Sequence, residues 1–98
     1  MAATVTLRWS KLAKGDLQAA WDVFPSDNAL AADALVDRII GASEALERHP
    51  HMGRTGRVRR TRELVIPATP CILTYRMKEQ TLIIVALTHG ARKWPENF

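Results

Sequence analysis

One cysteine, one tyrosine and two phenylalanines stand among these 98 residues, and each scarcity narrows what the chain can be. The lone Cys71 excludes an internal disulfide. It opens an apolar stretch, so it reads as a buried core thiol in a reducing compartment rather than as a nucleophile. No apolar run approaches the roughly 20 residues of a membrane span. The longest, Leu82 to Leu87, has the length of a strand. The N-terminus lacks the basic-then-apolar pattern of a secretory signal, so a cytoplasmic location is expected. His49 and His51 flank Pro50 without the further Cys, His or carboxylate spacing of a metal site. They read as a helix end and a solvated loop, and neither metal nor cofactor is expected. Gly53 and Gly56 are not a phosphate loop, because no strand precedes them and no helix follows.

Acidic residues are scarce in one half only. Residues 1–49 carry five Lys/Arg against seven Asp/Glu, a net of −2, while residues 50–98 carry nine against three, a net of +6. Five arginines fall within nine residues, Arg54, Arg57, Arg59, Arg60 and Arg62, and run into the apolar stretch Glu63-Leu-Val-Ile66. Edge protection of a sheet needs one or two charges, so five point to an anionic partner, nucleic acid or an acidic protein segment.

Length and composition indicate one soluble domain over residues 1–98, with 47% apolar and 24% charged residues. Thr4 to Trp9 alternates like a short strand, and Ser10 is placed to cap a helix carrying Leu12, Leu17, Trp21 and Phe24. Pro25 stops it. Ser26-Asp27-Asn28 offers caps for a second helix to Arg48, with Leu30, Leu35, Ile39, Ala42 and Leu46 as its apolar stripe. After Pro50 the period becomes that of strands: Glu63–Ile66, Cys71–Met77 and Thr81–Thr88, joined by short turns. The fold class expected is α+β: an N-terminal strand, an antiparallel helical hairpin, then a three-stranded antiparallel meander. Alternation sets Cys71, Leu73, Tyr75 and Met77 against the helices and turns Arg76 to the open face. Arg60, Arg62, His89 and Arg92 are expected to join it there. Glu63 is read as the partner of a neighbouring strand's cation rather than as a base.

Four segments in order, His49-Pro-His-Met-Gly-Arg54, Thr61-Arg-Glu-Leu-Val65, Leu73-Thr-Tyr-Arg76 and His89-Gly-Ala-Arg-Lys-Trp-Pro95, resemble the RelE/ParE superfamily, the toxin halves of type II toxin–antitoxin modules. The resemblance implies that superfamily's fold, a cognate antitoxin, and one of two targets. ParE-like members poison DNA gyrase. RelE-like members cleave messenger RNA on the ribosome, and their penultimate strand opens an Arg-Leu-Val-Tyr motif with a catalytic arginine. Here the matching segment is Ile72-Leu-Thr-Tyr75, which puts Ile72 in the arginine's place. Gyrase is therefore the leading target. The alternative is a metal-independent endoribonuclease with His89, Arg76 and Arg62 as its catalytic groups. A third reading is a non-toxic nucleic-acid-binding or regulatory module on the same fold. The expected target-binding surface comprises Arg54, Arg57, Arg59, Arg60, Arg62, Arg76, Arg92, Lys93 and Trp94, though closing the open end of the core is the favoured reading of Trp94.

Overall fold

The computed structural model describes residues 5–22, 29–67, 69 and 71–89. The elements run β1 (Thr6–Trp9), α1 (Lys11–Trp21), α2 (Ala29–Arg48), β2 (Arg54–Thr55), β3 (Arg62–Val65), β4 (Cys71–Lys78) and β5 (Thr81–His89). They form a five-stranded sheet of order β1-β5-β4-β3-β2, in which β1 lies parallel to β5 and the other pairs are antiparallel. The expected α+β class and the meander are both present. The two-residue β2 was not anticipated, because so short a strand carries no alternation to read. The expected caps Ser26, Asp27 and Asn28, and Phe24, lie outside the described residues.

Ser10 turns the chain from β1 into α1. Its side chain accepts a hydrogen bond from the Ala13 amide at 3.0 Å, capping the helix, and its hydroxyl donates to the Val85 carbonyl at 2.9 Å. Val85 is the residue left over where the β4–β5 register shifts, since Thr74 pairs with Ala86 and Tyr75 with Ile84. Among the described residues no strand continues beside β5 beyond Trp9, and Asp16 of α1 accepts from the Leu87 amide at 3.0 Å in its place. These bonds fix α1 over β5.

The core lies between the helices and one sheet face. Leu35, Ile39 and Leu46 of α2 meet Leu73, Tyr75, Leu82 and Ile84 there. The stripe of α1 differs from expectation. Ala13 and Ala20 are buried with Leu17 packed beside them, while Leu12 and Trp21 are 54% and 41% exposed. Residues 13, 17 and 20 follow the helical period, and two alanines let the helix axis approach β5 closely. In α2, Leu30 is 83% exposed, and Ala32 and Ser43 complete the buried face instead. Cys71 is buried as expected, and desolvation pushes its thiol above the ordinary value, opposed by a hydrogen bond with Thr69.

Candidate functional site: a basic corner of the sheet

The arginine cluster is a hairpin, not a strand row. β2 and β3 are joined by residues 56–61, a loop closed by the Gly56 amide on the Thr61 carbonyl at 2.8 Å and the Thr61 amide on the Val58 carbonyl at 3.1 Å. The Thr61 hydroxyl also donates to Val58 O at 2.6 Å. Gly56 packs so tightly on Thr61 that a β-carbon would collide with it. Arg60 takes a left-handed backbone, φ 66°, a conformation rare outside glycine and asparagine.

Glu63 anchors this loop from beneath. It is 2% exposed, bridged to Arg54 of β2 at 3.2 Å, and accepts from the Arg57 amide at 2.9 Å. Arg54, Glu63 and Thr74 stand opposite one another across three strands. A buried carboxylate needs such partners, and the two bonds keep the hairpin folded onto the sheet.

Arg62 is the main correction. Expected on the open face with Arg76, it pairs opposite Tyr75, whereas Glu63 pairs opposite Thr74. Residues directly opposite share a face, so Arg62 lies on the helix-side face. Its guanidinium donates to the Gly53 carbonyl at 2.8 Å. The Gly53 amide donates to the Tyr75 hydroxyl at 2.9 Å, and that hydroxyl donates to the Pro50 carbonyl at 2.8 Å. Burial raises the Tyr75 phenol above its ordinary value, opposed by the Gly53 hydrogen bond and the charge of Arg62.

Next to this clamp is a recess of about 310 Å³. Tyr75 and Met77 form part of its wall, and Thr55 and Thr61 add hydroxyls. Its lining holds the guanidiniums of Arg60, Arg62 and Arg76 and the imidazole of His51, and its described residues include no carboxylate. His51, read from sequence as a solvated loop residue, is the member that sequence reasoning missed. Nothing but the closure of the 50–53 loop onto Tyr75 brings it there.

The sheet face opposite Arg62 holds a second basic row, which meets the recess at Arg76. Arg8 pairs with Ile83, and Ile83 with Arg76, so the two arginines flank one isoleucine about 10 Å apart across β1, β5 and β4. Both are exposed. Arg8 could not be placed without the parallel register of β1. Further along the same face, Ile72 stands between Val65 and Thr88, a row without a cation or a titratable group.

Arg59 and Arg60 are exposed at the hairpin tip, Arg54 on β2. His89 pairs with Cys71 at the end of β5. Its side chain, and Arg92, Lys93 and Trp94, lie outside the described residues. Among the described residues no group of His, Cys, Asp and Glu could hold a metal ion, and no helix is long and apolar enough to cross a membrane.

Other proteins share this sequence pattern and architecture. The chain is 34% identical over 90 residues to "Putative toxin Y4kP" of Sinorhizobium fredii, covering 92% of this chain and 93% of that one. The fold matches a structure described as the chromosomal ParDE toxin–antitoxin system from P. aeruginosa, with TM-score 0.80, 22% identity, and coverage of 88% of this chain and 96% of that one. It also matches the RelBE2 toxin–antitoxin complex from Mycobacterium tuberculosis, with TM-score 0.67, 20% identity, and coverage of 89% and 99%. A family model described as the ParE toxin of type II toxin–antitoxin systems matches residues 7–94. With that match over nearly the whole chain, and the sheet, helices and basic corner in place, the chain belongs to the ParE toxin family of type II toxin–antitoxin systems.

Proposed function

We propose that this toxin arrests growth by poisoning the DNA gyrase–DNA complex in the cytoplasm, as a binding protein rather than as a nuclease. The observation that carries this reading is the row Val65, Ile72, Thr88. Cleavage of RNA without a metal needs cations for the developing phosphorane charge and a base for the 2′-hydroxyl. At the position where the resemblance implies a catalytic arginine, isoleucine donates nothing, and its cross-strand neighbours supply neither charge nor base. The exposed arginines, in contrast, suit steering toward a DNA-bearing complex. Induced expression tests this in cells: broken chromosomal DNA is expected, and transcripts cut in phase with codons would favour the ribosome-dependent endoribonuclease.

A cognate antitoxin holds the toxin silent. Support comes from the apolar side chains left exposed, Leu12 and Trp21 on α1 and Leu30 on α2, which a partner segment would cover. A partner that binds only the folded toxin raises its melting temperature by mass action. An unchanged melting temperature in the co-purified complex would count against this docking.

A further inference from the structure

We propose that the recess beside the arginine hairpin is a binding site for a phosphate monoester, the terminal phosphate of a nucleotide or of a 5′-phosphorylated strand. The charge balance is the first reason. The cations Arg60, Arg62 and Arg76 line the recess together with the His51 imidazole, and the one carboxylate of β3, Glu63, lies on the other face from Arg62, engaged by Arg54 and the Arg57 amide. Several cations around one cavity call for a ligand with more than one negative charge. A phosphate monoester carries about −1.5 to −2 with three acceptor oxygens, while a carboxylate satisfies a single guanidinium fork.

Preorganisation is the second reason. One nitrogen of the Arg62 guanidinium is fixed on Gly53 O at 2.8 Å, which orients the rest of the fork at no further entropic cost. Arg60 is held at φ 66° by the closed hairpin, a backbone that a non-glycine residue keeps only where its surroundings impose it. Size is the third. About 310 Å³ is too large for an ion alone and lies at the lower end of small-molecule sites, which suits a nucleotide. The site makes no use of gyrase, so it stands or falls separately from the target reading.

The full chain titrated calorimetrically at constant ionic strength, with inorganic phosphate, AMP, and one oligonucleotide with and without a 5′-phosphate, tests this. Saturable binding of phosphate and AMP is expected, with the phosphorylated strand about tenfold or more tighter than its twin. Arg60→Gln should weaken phosphate binding by about tenfold, the usual loss for one charge-assisted bond, and His51→Gln should weaken it as well. Their melting temperatures should stay unchanged, because neither side chain makes a hydrogen bond among the described residues. Arg8→Gln, on the opposite face, should bind phosphate like the parent. Equal affinity for the two strands, equal loss in the Arg8 variant, or displacement of phosphate by a glutamate-rich peptide at equal concentration would each overturn the proposal. So would the absence of any saturable phosphate heat.

Discussion

Tyr75 and Arg62 face each other across β4 and β3, and both side chains end on Gly53, the hydroxyl on its amide at 2.9 Å and the guanidinium on its carbonyl at 2.8 Å. This double grip holds the 50–53 loop against the sheet and shapes one wall of the basic recess. Tyr75→Phe removes two hydrogen bonds and leaves the Gly53 amide buried without its partner, which costs about 1–3 kcal/mol. Gly53→Ala should be worse, since a β-carbon would sit 2.7 Å from the Tyr75 ring and hydroxyl and 2.9 Å from the Glu63 carbonyl. Urea unfolding of both variants checks the order. A Gly53→Ala protein as stable as the parent would mean that the loop is not clamped.

The Arg54–Glu63 pair is asymmetric, with side chains 59% and 2% exposed. Removing the exposed partner strands the buried charge, whereas removing the buried one leaves an arginine that water can solvate. Arg54→Ala is therefore expected to destabilise more than Glu63→Gln, with each change on the order of 1–3 kcal/mol. Denaturant midpoints measured for the two single variants and the double variant would show it. A more harmful Glu63→Gln would mean that the Arg57 amide, not the ion pair, carries the anchoring.

Much of this architecture could be read from the residues themselves, and the failures have physical causes. β4 and β5 were legible because each alternates or is continuously apolar and a two-residue turn joins them. The faces of β4 followed from bulk, with Leu73 and Tyr75 fully buried and Arg76 exposed. The phase of β3 was not legible. In Arg62-Glu-Leu-Val65 a charged and an apolar residue stand on each face, so only its register against β4 decides which arginine is turned which way. The stripe of α1 was misread because alanines, not leucines or tryptophan, make the close contact with β5. His51 and Arg8 reach their sites through a loop closure and a parallel pairing between residues far apart in sequence, for which no local pattern exists.

Alkaline pH should loosen the protein ahead of general denaturation. Burial raises the Tyr75 and Cys71 side chains above their ordinary values of 10.0 and 9.0. The folded state thus holds both protons more tightly than the unfolded chain does. That stability is complete below the ordinary values and is lost as pH rises through them toward the folded ones. Melting temperatures should fall above about pH 9, and less steeply in Tyr75→Phe than in the parent. Parallel curves for the two proteins would contradict the burial of the phenol.

The most direct measurement sets the purified toxin against both targets side by side: gyrase with supercoiled DNA, and ribosomes programmed with a messenger RNA. With Ile72 between Val65 and Thr88, the expected result is trapped, broken DNA and intact messenger, and His89→Ala should break DNA as well as the parent does. A nuclease lacking one transition-state donor would lose on the order of 10²–10³ in rate. Efficient cutting of the messenger that disappears with His89→Ala, with the DNA left whole, would contradict the gyrase reading.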